Sequence, residues 1–259
     1  METNQVLGID VGASGIKGGI VDVYTGELLT ERLRVETPQP SKPKAIAKAI
    51  KGLCKMHKWE KGLIGVGFPA VVIKGEARTA ANISKDWIGT SIEEVVSEAT
   101  GCPVIAVNDA DAAGIAEMEF GAGKGVLGTV VLITIGSGLG SAVFTDGKIV
   151  RNTEFGHLMM NGMIAEHYAS DRTRQEEDLS WKKWGKRFNE YLNYLERIVS
   201  PNLLILGGGA SKKYDEYKGQ LDVSFPIETA QFRNKAGAIG AALYAYQEWR
   251  EGQLKGDNW

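Results

Sequence analysis

A glycine turn set between two β-branched apolar runs occurs twice in this chain, and that repetition constrains the fold more than any other feature. Val6 to Asp10 is a short apolar run ending in an acid; Gly12-Ala13-Ser14-Gly15 follows, and Ile16 to Tyr24 is again apolar and β-branched. Much later Thr129 to Ile135 reads as a strand, Gly136-Ser137-Gly138-Leu139-Gly140 as a glycine turn, and Ser141 to Thr145 as a strand. Asp146-Gly147 is then a hairpin turn before Lys148 to Arg151. The pattern predicts one lobe built twice, with a cleft between the copies. At 259 residues the chain is long enough for two lobes of about 100–150 residues each.

Between and after the copies the pattern alternates. Glu27 to Val35 alternates like a strand, Pro38, Pro40 and Pro43 mark a loop, and Lys44 to His57 has helical periodicity. Leu63 to Gly67 reads as a buried strand, Ser91 to Thr100 as a helix ended by Gly101, Pro103 to Val107 as a strand, and Ala110 to Glu119 as an alanine-rich helix. Trp181, Trp184, Phe188, Tyr191, Leu192 and Leu195 form one apolar stripe on a helix from Ser180 to Ser200. Leu203 to Leu206 is a strand entering Gly207-Gly208-Gly209, Asn234 to Trp249 a small-residue helix suited to close packing, and the sequence after Arg250 a polar tail.

Composition excludes several classes. With 43% hydrophobic and 24% charged residues the chain is neither disordered nor fibrous. A net charge of −2 excludes a globally basic nucleic-acid binder, so no nucleic-acid partner is expected. Two cysteines, Cys54 and Cys102, supply neither a disulfide framework nor a four-thiolate zinc site, and read as buried thiols of a reducing cytoplasm. The start has no basic stretch before an apolar one, and no apolar run approaches the roughly 20 residues of a membrane span, so no membrane partner is expected.

Glycine turns let successive backbone N–H groups converge on an anion, because no Cβ blocks the approach. Two such turns suit a chain of phosphates. The P-loop pattern fails, since Lys17 follows Gly12 without the Gly-Lys-Ser/Thr ending. Gly123-Lys124-Gly125-Val126-Leu127-Gly128 has the letters of a dinucleotide fingerprint but precedes a strand, and Gly65-Val66-Gly67-Phe68-Pro69-Ala70 opens no helix. Asn108-Asp109 lies where a strand hands over to a helix, at the edge of an α/β sheet where ligands collect. Asp109 there reads either as a helix N-cap or as a carboxylate that accepts a hydroxyl proton during phosphoryl transfer. Lys17 reads either as a phosphate contact or as a solvated strand residue.

Asp10-x-Gly12-x-Ser14-x-x-Lys17 between strands, with a second copy at Thr134-x-Gly136-Ser137-Gly138, resembles the actin/hexokinase-type phosphotransferases. The further motifs Asn108-Asp109-Ala110-Asp111, Glu154-Phe155-Gly156-His157, Leu206-Gly207-Gly208-Gly209 and Arg233-Asn234-Lys235-Ala236-Gly237, in this order, are similar to the ROK group of sugar kinases, and within it to the polyphosphate glucokinases. The resemblance implies an α/β, two-lobed actin/hexokinase-like (ribonuclease H-like) fold with duplicated mixed-sheet lobes and a central cleft. Residues 1–108 with 236–259 would form the small lobe and 109–235 the large lobe. It implies a glucokinase with polyphosphate favoured as donor and ATP open, or an ATP-dependent kinase of another hexose. A non-catalytic sugar-sensing module is the remote alternative; as a repressor it would need a DNA-binding segment ahead of Val6.

The roles carried over are these. Asp109 is the general base for the glucose 6-hydroxyl, with Asp111 structural. Asn108, Glu154, His157, Glu166, Asn82 and the backbone of Gly67 line the sugar. Asp10, Gly12, Ala13, Ser14 and Lys17 with Thr134, Gly136, Ser137 and Gly138 hold phosphates, and Gly207, Gly208 and Gly209 face the donor. Mg²⁺ is expected to ride on donor phosphates with Asp10 orienting its shell. ROK kinases usually carry a cysteine-rich zinc cluster after the histidine, whereas Leu158 to Ala165 holds no cysteine. No zinc and no protein-ligated metal are therefore expected, and His157 is left to meet the sugar directly. Arg172, Arg174, Lys182, Lys183, Lys186, Arg187, Lys212 and Lys213 are either a solvated basic face or a track for a long anion. A homodimer and a cytoplasmic location are the remaining expectations.

Overall fold

The computed structural model describes residues 4–255, so the first residues of the expected leaderless start and residues 256–259 of the polar tail lie outside the described residues. Two compact units emerge, one of Met1–Ala116 with Lys235–Trp259 and the other of Glu117–Asn234. The division falls inside the alanine-rich helix rather than at its start, where the sequence places it.

In the first unit the chain forms β1 (Gln5–Val11), β2 (Gly15–Asp22), β3 (Leu33–Glu36), α1 (Pro43–Met56), β4 (Ile64–Phe68), β5 (Val72–Ile73), β6 (Glu76–Ala77), α2 (Ile92–Thr100), β7 (Val104–Asn108) and α3 (Asp109–Phe120). The large sheet runs β3-β2-β1-β4-β7, antiparallel in its first three strands and parallel from β1 onward. Ser91 caps α2 by accepting from the Glu94 N–H, and Gly101 ends it at φ 76, a conformation that costs glycine little. Leu7, Ile9, Ile50, Val66 and Phe68 are fully buried, and Trp87 packs edge-on to Phe68 while donating its indole N–H to Ser41 O at 2.9 Å. Cys54 and Cys102 are free and buried in this core, and burial pushes the Cys54 thiol up to about 12, which leaves it unreactive.

The second unit repeats the design with β8 (Thr129–Ile135), β9 (Leu139–Thr145), β10 (Lys148–Val150), β11 (Met159–Met160), β12 (Met163–Ile164), α4 (Ala165–Ala169), α5 (Asp171–Glu176), α6 (Trp181–Val199), β13 (Leu203–Gly208), α7 (Tyr214–Tyr217) and β14 (Ile227–Thr229). Its large sheet runs β10-β9-β8-β13-β14, with the same pattern of antiparallel and parallel neighbours as the first. The duplication read from the glycine turns is thus a duplication of whole mixed sheets. The aromatic stripe of α6 is buried as its periodicity requires. Trp184 stacks on Phe188 with ring centroids 4.9 Å apart, and Tyr217 meets both edge-on.

The chain returns to the first unit with α8 (Ala236–Lys255), so residues 251–255 of the expected polar tail continue the helix. This helix lies against β1 and β4 so closely that a Cβ on Gly8 would fall 2.0 Å from Ala238 O, and one on Gly240 only 1.6 Å from Ala112 O of α3. Both obstacles are backbone and have no room to yield. Gly240→Ala is expected to cost about 1–3 kcal/mol or more by overpacking. An unchanged melting temperature would contradict this packing.

Candidate active site

In the first unit the parallel strands deliver their C-terminal ends to one edge. Asp10 on β1 pairs with Gly67 on β4, and Gly67 with Val107 on β7, so Asn108 and Asp109 leave the sheet two strands from Asp10. At the usual strand spacing that is about 10 Å. Gly67 itself is buried, flanked by Asp10 and by the start of α8 at Gly237. Gly237 lies on the Asp10 carboxyl, since a Cβ there would be 2.9 Å from Asp10 Cγ.

The cap of α3 differs from the one weighed in the sequence. Asn108, not Asp109, does the capping: its side-chain oxygen accepts from the N–H groups of Ala110 (2.8 Å) and Asp111 (3.0 Å), and its amide donates to Ala70 O at 3.0 Å. Asn108 is accordingly buried and largely committed to protein, while Asp109 is half-buried, with one oxygen 2.9 Å from the Ala110 N–H. Asn82 stands exposed on a bend anchored by the Ser84 N–H to Ser41 Oγ.

Gly12 N–H closes the first glycine turn onto Gly15 O at 3.1 Å, and Thr37 Oγ1 braces it by donating to Gly12 O at 2.6 Å. Ala13 and Ser14 are exposed at its tip. Lys17 pairs loosely with Asp10 at 3.8 Å. Burial raises the Asp10 pKa above its ordinary 3.8, against the opposing pull of Lys17 and Arg32. Arg34 was not singled out from the sequence, yet its guanidinium donates to Ser14 O at 2.6 Å and lies on Gly15.

In the second unit four of the expected residues converge. A Cβ on Gly138 would fall 2.3 Å from a Glu166 oxygen, so the Glu166 carboxylate lies on the second glycine turn. Its other oxygen is 3.9 Å from His157 Nε2, and His157 Nδ1 is 3.9 Å from Glu154. Burial raises the Glu154 pKa, His157 lowers it and Glu166 raises it. The short turn that presents Glu154 and His157 is held by Ser141, buried on β9, which donates to Thr153 O and accepts from the Phe155 N–H at 2.9 Å. Gly156 lets that turn lie on Leu139 O, where a Cβ would approach to 2.1 Å.

Beside them Gly136 N–H closes the turn onto Gly138 O at 3.0 Å, and the space a Gly136 side chain would fill is open. Ser137 is exposed at the tip. Gly207 and Gly208 pair with Thr134 and Ile135 on the neighbouring strand, and Gly208 takes φ 78, so the glycine triplet borders the same turn. Gly209 begins the short turn whose Ser211 Oγ donates to Gly208 O. The segment from Leu158 to Ala165 is a small hairpin turning on Asn161 and Gly162. Among the described residues no group of three or more His, Cys, Asp or Glu is placed to hold a metal ion.

The eight basic residues separate into two sets. Arg174 bonds Asp171 at 2.6 Å and lies over the Trp181 ring, Arg187 grips Glu177 with both nitrogens, and Lys213 pairs with Glu216. Arg172, Lys182, Lys183, Lys186 and Lys212 are exposed and have no ion-pair partner among the described residues. Arg172 is tied to the turn by its backbone N–H, which donates to Gly136 O at 3.2 Å.

Comparison with known proteins places this geometry. The sequence model of the ROK family matches residues 6–177. A polyphosphate glucokinase of Mycobacterium tuberculosis (strain CDC 1551 / Oshkosh) is 46% identical over 238 residues, covering 92% of this chain and 89% of that protein. A glucokinase of Streptomyces coelicolor is 33% identical, covering 91% of this chain and 96% of the relative. Among solved structures, an inorganic polyphosphate/ATP-glucomannokinase from Arthrobacter sp. strain KM superposes with a TM-score of 0.91 at 43% identity, covering 94% of this chain and 99% of the other. A ROK family glucokinase from Streptomyces griseus, in complex with glucose and AMPPNP, gives 0.81 at 25% identity, covering 94% and 99%.

Proposed function

The chain belongs to the ROK family, and from that premise we propose that it transfers a phosphoryl group from inorganic polyphosphate to the 6-hydroxyl of glucose. The observation that supports it most is the contact of Glu166 with the Gly138 turn and, through His157, the line to Glu154. One unit thereby carries groups suited to sugar hydroxyls directly against a backbone turn suited to phosphate.

In this reading Glu154, His157 and Glu166 take hydroxyls of the sugar ring, joined by Asn82, the backbone near Gly67 and the one amide hydrogen Asn108 has left. Asp109 accepts the 6-hydroxyl proton as the phosphorus–oxygen bond to the donor breaks and the new one forms. The chemistry asks little more than positioning and charge neutralisation. Asp10, Gly12, Ala13, Ser14 and Lys17 hold one stretch of phosphate, and Thr134, Gly136, Ser137 and Gly138 another, with Gly207 to Gly209 bordering the donor. The donor set suits Mg²⁺ rather than a protein cage: one carboxylate, Asp10, with Lys17 beside it, leaves an ion to be held mainly by phosphate oxygens and water. Bound there, Mg²⁺ would neutralise charge on the phosphates.

Arg172, Lys182, Lys183, Lys186 and Lys212, exposed and without an ion-pair partner among the described residues, support a track for a long polyanion, steered electrostatically. ATP and mannose form the second reading, favoured by the likeness to the Arthrobacter polyphosphate/ATP-glucomannokinase. Glucose 6-phosphate formation by the purified protein, measured with long polyphosphate and with ATP at rising ionic strength, tests both. Polyphosphate is expected to support turnover, with a steeper loss in salt than ATP shows, because exposed charges are screened over a Debye length of about 10 Å at 0.1 M. No turnover with polyphosphate would remove that donor; equal salt dependence would remove the track.

A further inference from the structure

Three strands of the first sheet set Asp10, Lys17 and Arg34 in one row. Asp10 pairs with Lys17 across β1 and β2, and Lys17 pairs with Arg34 across β2 and β3, so all three side chains share a face. Like charges directly opposite on neighbouring strands weaken a sheet, and here two cations adjoin with a single carboxylate in the row. That carboxylate is loosely held by Lys17 at 3.8 Å. Arg34 has no ion-pair partner among the described residues; Glu36, two residues along the same strand, does not bond it.

The two cations flank the ends of the first glycine turn. Lys17 Nζ lies 4.0 Å from where a Cβ on Gly12 would be, and Arg34 Nε lies 2.4 Å from the corresponding point on Gly15. Any side chain at Gly15 would displace the guanidinium. The bond from Arg34 to Ser14 O fixes the guanidinium against the turn while using one of its five N–H groups. A rigid fork with spare donors, placed where backbone N–H groups are exposed, matches phosphate oxygens better than a mobile ammonium does.

We propose that Arg34 is a donor-phosphate contact, clamping the phosphate chain at the first glycine turn together with Lys17. The assignment of phosphate to this turn rests on the function proposed above; the role of Arg34 extends it. Because β3 is the edge strand and Arg34 is exposed, its replacement leaves the core untouched.

Arg34→Gln and Arg34→Lys test the contact. A charged hydrogen bond of ordinary strength corresponds to a change of about tenfold to a hundredfold. Arg34→Gln is expected to raise the KM for polyphosphate by that factor, with the KM for glucose unchanged, and Arg34→Lys to recover part of the loss. Calorimetric titration of the unliganded protein with inorganic tripolyphosphate should weaken in parallel. An equal rise in the KM for ATP would place the contact on phosphates both donors share. A rise confined to polyphosphate would place it farther along the chain, and either result supports the clamp. Unchanged tripolyphosphate affinity, or a glucose KM rising in step, would overturn it. If the wild type binds tripolyphosphate through Arg34 yet leaves glucose unphosphorylated, the reaction is misassigned and the contact stands.

Discussion

Asp109→Asn is expected to lower kcat by about 10²–10⁴-fold, the range spanned by a positioned general base, while glucose still binds within a few-fold of wild type. Asparagine has the shape of aspartate but cannot take a proton from an alcohol. The substitution is clean because of how α3 begins. Asn108 accepts from both the Ala110 and Asp111 N–H groups, whereas Asp109 shares only that of Ala110 and its asparagine oxygen can do the same, so the helix keeps its cap. What α3 loses is a negative charge in its first turn, worth about 0.3–1 kcal/mol. Turnover and glucose affinity should therefore separate: a lowered kcat with a KM near wild type reports an interaction made only in the transition state. Calorimetric titration with glucose supplies the affinity independently of turnover. Wild-type kcat in the variant would exclude Asp109 as the base, and a parallel loss of glucose affinity would make it a binding group.

What the sequence disclosed and what it withheld differ in range along the chain. The span Thr129 to Ile135 forms the strand its residues suggest, and Ser91 and Gly101 bound α2, because branched runs, caps and αL glycines act over a few residues. Glu27 to Val35 alternates like a strand, but only Leu33–Glu36 forms one. Backbone pairing with β2 survives there only as an isolated bridge between Val21 and Leu28, because Asp22 Oδ1 bonds the Tyr24 and Thr25 N–H groups and Thr30 Oγ1 takes the Ile20 N–H that a continuing ladder would have used. That shift sets the register of β3, and with it the position of Arg34 opposite Lys17. Counting alternate residues places Arg32 and Arg34 on one face, yet only the register shows that this face meets the turn. The exchange of roles between Asn108 and Asp109 was hidden for a similar reason. Either residue type caps a helix, and the choice depends on Ala70 O lying within reach of the asparagine amide. After Arg250 no proline or glycine run ends the pattern; Glu251, Gln253, Leu254 and Lys255 favour helix and α8 simply continues.

Glu117 is the site where sequence distance hides most, and its removal is expected to destabilise the second unit by several kcal/mol. The side chain is fully buried. One carboxylate oxygen accepts from the Ala122 and Gln231 N–H groups at 3.1 and 3.0 Å, and the other from Phe232 at 2.8 Å. A buried carboxylate normally needs a cation; here three backbone dipoles from two distant segments take that role. In Glu117→Leu the volume remains but three buried N–H groups lose their acceptor, at about 1–3 kcal/mol for each left unsatisfied. Against a total stability of about 5–15 kcal/mol that is a large fraction. Glu117→Gln is the milder case. Its oxygen can serve Ala122 and Gln231, but its amide then points at the Phe232 N–H, donor against donor. The melting temperature should fall in the order wild type, Gln, Leu. Amide exchange should quicken first at residues 122, 231 and 232, because those are the groups the carboxylate shields. Unaltered exchange at 232 in Glu117→Gln, or at 231 and 232 in Glu117→Leu, would mean that the segment before α8 is held by something other than this carboxylate.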